Sequence, residues 1–447
     1  MFDLAAEDGS VRKKKYDSPI PDGDPAGAPA AKPNDLDGPD MVQLHHRLLD
    51  LYTREVDRQA DNRIDMAVDE DFYDNIQWTE EDAQTLRERG QVPLVYNVIS
   101  SSVDWVLGTE KRSRADFQIL PRRKDRGPNA KKKTELLKYL SDVNRTPFHT
   151  SRAFEDAVKV GIGWLEDGIQ DEDDEEPINS RYESWRNMLW DSAATELDLK
   201  DARYIIRTKW LDLDVAQAIF KDRTELLTRS AADSNDFVAL DQYGDEAMDS
   251  QELELDRVGG STASDRVTGY QRQRVRCIEM WYTKPTKTQR LTGGEFKGEI
   301  YDKFSPAHVE EVQKNGVDTS TKIISRMHVA IFTSAGMLYH GPSPYRHNRY
   351  PFTPIWAYRR GRDGLPYGMI RRLRDLQIDV NKRASKALHI LSTNKVIVDE
   401  GTADDMDELR EEVSRPDAFI VKKPGKEIVL SADRDLVPLR EVPIGAE

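Results

Sequence analysis

The segment from Tyr350 to Glu412 sets a proline-punctuated strand, a tight Gly/Pro turn, a long basic helix and a short acidic helix in immediate succession. Met369, Leu373, Leu376, Val380, Ala384, Ala387 or Leu388, and Leu391 recur at three- and four-residue steps, the spacing of one helical stripe. Pro366 and Gly368 mark the start, and Ser392, Thr393 and Asn394 the end. About 24 helical residues span roughly 36 Å, long for an ordinary globular domain. Between Gly368 and Lys395 stand seven bases (Arg371, Arg372, Arg374, Lys382, Arg383, Lys386 and Lys395) against two acids, Asp375 and Asp379. The whole chain carries a net charge of −15, so this local excess of bases is a feature of the helix and not of the composition. Periodicity alone leaves three readings open: a solvated helix with a basic outer face, a helix packed against copies of itself in a ring, or a helix lying on nucleic-acid phosphates.

At 447 residues there is room for two or three domains. Hydrophobic residues make up 38%, charged residues 33%, and mean hydropathy is −0.72, so much surface must be polar or covered by partners. The sequence has no apolar run of 18 residues and no apolar signal core near Met1, so neither a membrane span nor export is indicated. A single cysteine, Cys277, excludes an internal disulfide and fits a reducing compartment. The acidic balance argues against wholesale coating of DNA, while suiting a surface along which DNA slides without sticking.

Residues 1–40, rich in Pro, Ala, Gly and Asp with a basic cluster at Arg12–Lys15, read as a disordered arm. From Met41, the positions Leu44, Leu48, Leu51, Val56, Ile64 and Val68 predict an amphipathic helix, followed by an aromatic cluster of Phe72, Tyr73, Ile76 and Trp78. Thr79–Asp82 resembles a capping box opening a second helix that Gly90 ends, and Pro93 is expected to begin a third, with Gly108 near its end. Phe117 and Ile119 suggest a strand, residues 129–160 two helices, and Ile162–Leu165 another strand. The acidic run Asp171–Glu176 lacks the ligand spacing of a calcium loop and reads as a solvated hairpin tip. Val215–Phe220 fits a short helix, and residues 222–272, polar and without period, a flexible excursion. Val275–Tyr282, Ile323–Phe332 and Met337–Tyr339 are the best strands, so the fold class is α+β.

Catalytic signatures are missing from the sequence. Gly425-Lys426 is followed by Glu427 and lacks a phosphate-cradling loop, and there is no H-E-x-x-H, paired C-x-x-C or G-x-S-x-G. His45 and His46 are adjacent, cannot share a helical face, and read as surface residues. No enzyme, cofactor or metal is expected.

The run FYDNIQWTEEDAQTLRERGQVPLVYNVISSSVDWVLGTEKRSRADFQILPRR (Phe72–Arg123) resembles the N-terminal signature of portal proteins from short-tailed double-stranded DNA bacteriophages. There an aromatic pair precedes a Q-W-x-x-E/D helix, a P-L-x-Y-N helix, then G-x-E and a strand ending in Pro. MLWDSAATELDLKDARYIIRTKW (Met188–Trp210) and PFTPIWAYRRGRDGLPYGMIRRLRDLQIDVNKRASKALHILSTNK (Pro351–Lys395) are similar to that family in order and spacing. The resemblance implies a non-catalytic homo-oligomeric ring of about twelve subunits at one capsid vertex. Double-stranded DNA is pumped in through it by the terminase and later leaves by ejection. Expected partners are the large terminase subunit, capsid or scaffold protein and the head-to-tail adaptor; the expected locations are the virion portal vertex and, during assembly, the host cytoplasm.

By that resemblance residues 41–350 form the wing, 351–391 a strand and the stem helix beside the channel, and 392–447 the clip. Arg371, Arg372, Arg374, Lys382, Arg383 and Lys386 become candidates for the DNA channel or for subunit packing, some pairing with Asp375, Asp379 or neighbouring subunits and a minority facing the lumen. Asp404, Asp405, Asp407, Glu408, Glu411 and Glu412, on an expected acidic helix, become candidates for partner docking at the clip, with strands near Phe419 and Ile428. Family members continue with a second stem helix, a tunnel loop and further wing helices. The fold is therefore expected to be truncated before the second stem helix, with the remainder supplied beyond Glu447 or by another polypeptide. Another virion connector or tail-ring protein would share the composition but not the Phe72–Arg123 signature. A terminase motor would carry a phosphate-binding loop, and a cellular DNA-binding module a wholly basic domain.

Overall fold

A computed structural model describes residues 36–114, 117–121, 127–170, 176–237, 273–294, 296–298, 301, 306–314, 316–345, 348–392, 396–398, 424 and 428–430. The chain divides into two units, one of residues up to Ala67 with Val106–Met369, the other of Val68–Trp105 with the chain from Ile370 onward. The helices are α1 (Pro39–Tyr73), α2 (Glu80–Glu88), α3 (Val98–Arg112), α4 (Gly127–Val143), α5 (Thr146–Val160), α6 (Leu213–Ile219), α7 (Thr224–Phe237), α8 (Pro306–Lys314) and α9 (Met369–Ser392). The strands are β1 (Ile162–Ile169), β2 (Ile178–Glu183), β3 (Met188–Trp190), β4 (Tyr204–Asp212), β5 (Arg274–Leu291) and β6 (Thr319–Phe332), followed by β7 (Met337–Pro342), β8 (Phe352–Trp356), β9 (Tyr358–Arg359), β10 (Pro366–Tyr367), β11 (Val396–Val398) and β12 (Ile428–Leu430). All pairings among them are antiparallel. The α+β class follows.

In the first unit a five-stranded sheet, β3-β4-β5-β6-β7, is sorted by the two-residue period of its strands. Tyr204, Ile206, Ile278, Met280, Ala330 and Phe332 face Leu48, Tyr52 and Val56 of α1. Val275, Cys277 and Ile331 meet α6 and α7, whereas Ile205, Trp281 and Val329 join Trp164, Trp185 and Trp190. Each large side chain buried this way contributes about 1.5–3 kcal/mol. Burial also pushes the Cys277 thiol up to about 12, so it behaves as a small apolar residue. A second sheet, β2-β1-β8, lies beside α5. Gly163 is obligatory there, because a Cβ would stand 1.8 Å from the Ala153 carbonyl oxygen.

Charge is buried within this unit. Arg207 is fully enclosed and reaches Glu279 at 2.6 Å, Glu166 at 2.7 Å and Glu183 at 3.2 Å; Lys209 meets Glu183 at 2.7 Å. Burial works to raise the Glu183 pKa, but Lys209 and Arg207 prevail and hold it below the usual value. On β5–β7, the Tyr282 hydroxyl and His340 Nε2 are 2.9 Å apart, and the His328 and His340 rings stack at 5.8 Å. Burial, reinforced by His328 and Lys284, lowers the His340 pKa to about 4.

Several expectations are corrected. The third helix begins at Val98 and not at Pro93, with Gly108 well inside it. Residues 117–121 form no strand; the Ile119 N–H instead donates to Thr134 Oγ1 at 3.0 Å. Residues 222–237 are not an excursion but include α7, anchored by buried Leu227 and by Ser230, whose hydroxyl lies 2.7 Å from that of Thr333; residues 238–272 lie outside the described residues. His45 is buried, with Nε2 2.8 Å from the Thr333 carbonyl, while His46 is exposed. Thr79 does cap α2, accepting from the Asp82 N–H at 3.1 Å. The N-terminal arm through residue 35 and the acidic run at 171–175 lie outside the described residues.

Candidate functional site

Gly368, just before α9, packs closely against α5: a Cβ there would stand 1.8 Å from the Lys159 carbonyl oxygen. Within the second unit the helix buries a polar row and exposes part of its apolar stripe. Leu376, Val380 and Leu388 of the predicted apolar stripe are 65%, 43% and 40% exposed, while Gln377, Asn381 and Ser385 are 3%, 1% and 1% exposed. Ala387 of the stripe is buried, and Met369, Leu373 and Ala384 are half-buried.

The polar face is buried because it satisfies a strand-like segment that has no sheet partner. The N–H groups of Val98, Tyr96 and Leu94 donate to Gln377 Oε1 at 3.2 Å, Asn381 Oδ1 at 2.9 Å and Ser385 Oγ at 3.0 Å. Four helical residues advance about 6 Å, and two extended residues advance about 6.6 Å. The two periods therefore stay in step for three rungs, running antiparallel. Gln377 Nε2 returns a bond to the Tyr96 carbonyl, and Asn381 Nδ2 donates to Gln77 Oε1 at 2.7 Å. Gln77 Nε2 in turn donates to the Phe72 carbonyl at 2.7 Å.

This ladder accounts physically for the Phe72–Asn97 part of the Phe72–Arg123 signature. Trp78 Nε1 donates to the Leu94 carbonyl at 2.9 Å. Asn97 caps α3 by accepting from the Ser100 N–H at 3.0 Å, and its amide donates to the Tyr73 carbonyl at 2.9 Å and to Asn75 Oδ1 at 2.7 Å. The Pro93-Leu94-Val95-Tyr96-Asn97 stretch is thus an extended rung-bearer and not a helix, since its amides are engaged by side chains of α9.

The six basic candidates separate into different environments. Arg371 Nε lies 2.9 Å and Arg374 Nη1 3.3 Å from the carboxylate of Asp69, which is fully buried at the end of α1. Both cations are thereby held inward, on a partner that sequence reasoning did not name. Arg383 pairs with Asp379 at 2.9 Å, the expected in-helix pairing, with both side chains more than half exposed. Arg372, Lys382 and Lys386 are exposed. At 100° per residue those three fall within an arc of about 80°, which also contains Asp375 and Asp379. The clip candidates Asp404, Asp405, Asp407, Glu408, Glu411 and Glu412 and the strand near Phe419 lie outside the described residues; near Ile428, β12 pairs with β11.

Gln377, Asn381, Ser385, Asp69 and Asn97 were missed as organising residues. For Gln377, Asn381 and Ser385 the signal was available as Gln-x3-Asn-x3-Ser, one polar residue per helical turn within the basic helix. Among the described residues no cluster of three or more His, Cys, Asp or Glu side chains could hold a metal, and no helix is long and apolar enough to cross a membrane. No curated protein gives a significant match to the chain. The family model for phage P22-like portal proteins, by contrast, matches residues 49–443, which is most of its length, in agreement with the signature explained by the ladder. The chain belongs to the P22-like phage portal protein family.

Proposed function

We propose that this chain forms a ring of about twelve copies, with residues 41–350 as wing, 351–391 as strand and stem helix, and 392–447 as clip. The family is structural and assembles at the capsid vertex as an oligomeric ring serving DNA and terminase. The observation that carries the finer reading is helix α9: its polar row is consumed within the second unit, leaving Leu376, Val380 and Leu388 outward. An apolar stripe on a long helix is a surface for neighbouring subunits. The adjacent arc of Arg372, Lys382 and Lys386 is the one to meet passing phosphates, whereas Arg371 and Arg374 serve packing through Asp69. The acidic residues Asp404–Glu412 dock terminase during filling and the head-to-tail adaptor afterwards. Capsid or scaffold protein meets the wing, and the subunits assemble in the host cytoplasm.

The test replaces Arg372, Lys382 and Lys386 together with Glu and measures both ring formation by electron microscopy and packaged DNA per particle. Intact rings with impaired packaging or retention are expected. Unchanged packaging would remove the DNA role of this arc.

A further inference from the structure

The first unit carries a second exposed apolar stripe, on α4. Leu136, Tyr139 and Val143 are exposed and follow Lys132 at steps of four, three and four residues, so all four lie within an arc of about 60°. Lys131, Lys133 and Lys138 are also exposed, against Glu135 and Asp142, giving the helix an excess of two positive charges. This helix sits at one edge of the β2-β1-β8 sheet: Tyr139 bonds Glu176, and Asn144, just past its end, donates to the Ile178 carbonyl of β2 at 3.0 Å.

At the opposite edge of the same sheet stands a complementary feature. Leu197 is 62% exposed, between exposed Glu196 and Asp198, on a loop held rigidly by β8 and β9. Trp356 Nε1 donates to the Leu197 carbonyl at 2.7 Å, and Arg359 donates to the Thr195 and Ala194 carbonyls at 3.1 and 2.9 Å. Asp201 accepts from the Thr195 N–H at 2.7 Å and from its hydroxyl at 2.8 Å, which fixes the turn. Such anchoring leaves little ordering entropy to be lost on docking. Glu196, Asp198 and Asp201 against Lys200 and the Arg359 guanidinium leave the loop net negative, opposite in sign to the helix.

We infer that the Glu196-Leu197-Asp198 knob of one copy docks on the Lys132–Leu136–Tyr139–Val143 stripe of α4 on the next. Two different patches at opposite edges of one sheet are what a head-to-tail contact requires, because a ring joins unlike faces of identical subunits. The apolar contact supplies affinity, and the opposed charges fix register and disfavour like-with-like pairing. This inference rests on the proposed ring and names a wing-to-wing contact within it.

The experiment uses the full chain with Leu136→Cys and Leu197→Cys, together and singly, treated with a short bismaleimide; Cys277 is buried and does not compete. The double variant is expected to give a ladder of covalently joined subunits, and neither single variant is. Rings visible by electron microscopy without a ladder overturn the contact while leaving the ring intact. Linkage in a single variant shows like-with-like pairing and overturns it as well. Absence of rings from the unaltered chain overturns the ring reading, and this contact with it. As a second measurement, Leu197→Asp should raise the protomer concentration for half-assembly at least tenfold with an unchanged thermal melt, and an unshifted midpoint would refute the inference.

Discussion

Asn381→Leu separates the two opposed readings of α9. The amide sits at the centre of the ladder, accepting from the Tyr96 N–H at 2.9 Å and from Gln377 Nε2 at 3.1 Å and donating to Gln77 Oε1 at 2.7 Å. Leucine is close in size but leaves the Tyr96 N–H and the Gln77 oxygen without partners. Each orphaned group costs about 1–3 kcal/mol, so opening of the 94–98 segment should become at least about 2 kcal/mol easier. At 1.4 kcal/mol per factor of ten, that is roughly 30-fold faster amide exchange at Leu94, Tyr96 and Val98. Asn381→Asp keeps both acceptor bonds but sets a buried carboxylate oxygen against Gln77 Oε1, so its effect should be no smaller. Leu376→Ala, at an exposed site of the unassembled subunit, should change exchange by no more than about twofold, within the ±0.5 kcal/mol usual for surface positions. Were the apolar stripe the buried face, the order would reverse, since a core Leu→Ala costs about 2–5 kcal/mol. Hydrogen exchange with mass spectrometry on unassembled subunits decides it: protection of 94–98 within threefold of wild type in Asn381→Leu, with opening in Leu376→Ala, would refute the ladder.

Two further outcomes follow from buried charge in the first unit. Arg207→Met should destabilise it by about 3–5 kcal/mol, because Glu279 and Glu183 remain enclosed after their shared cation is lost; equilibrium urea unfolding checks this, and a loss under 1 kcal/mol would show the carboxylates to be otherwise satisfied. For His340, lowered from 6.5 to about 4, the unfolded chain binds a proton that the fold does not between those pH values, so stability falls as pH falls through that window. At 1.36 kcal/mol per pH unit the loss approaches about 3 kcal/mol at the acid end. His340→Gln should flatten the melting temperature against pH over this window, and an unchanged slope would place the sensitivity elsewhere.

The legible and illegible parts of the chain differ in which physical quantity decides them. Strands β5, β6 and β7 were readable because one face packs on α1 and the other on α6, α7 and the tryptophan cluster, so burial imposed alternation and apolar density together. The Thr79 cap was readable because capping is local. Pro93 pointed to a helix start for a sound reason, but Leu94 and Tyr96 give their amides to residues nearly three hundred positions later, and no local rule sees that. Helix α7 was hidden because only Leu227 and Ser230 of its described residues are fully buried, too thin a stripe for a hydropathy period. For α9 the spacing of the apolar residues was right, but it did not tell that Leu376, Val380 and Leu388 of the stripe are exposed while Gln377, Asn381 and Ser385 are buried. Periodicity states which residues share a face, and the partner decides which face is buried.

The charge on α9 can then be followed to its consequence. Of the six basic candidates, Arg371 and Arg374 share the one carboxylate of Asp69, which leaves one net positive charge, and Arg383 is paired with Asp379. Arg372, Lys382 and Lys386 lie on the exposed arc beside Asp375 and Asp379, a modest local excess of bases. Alone, that is a weak phosphate contact, and salt at physiological strength screens exposed charges beyond about 8 Å. Repeated around the proposed ring it becomes a continuous belt, in which DNA moving along the axis exchanges one subunit's cations for the next at nearly equal energy. Strong individual sites would instead create deep wells that oppose translocation. Within the proposed ring, Arg371 and Arg374 drawn inward onto Asp69, with Arg372, Lys382 and Lys386 exposed on a short arc, would suit guidance of a sliding polyanion better than its capture at a fixed register.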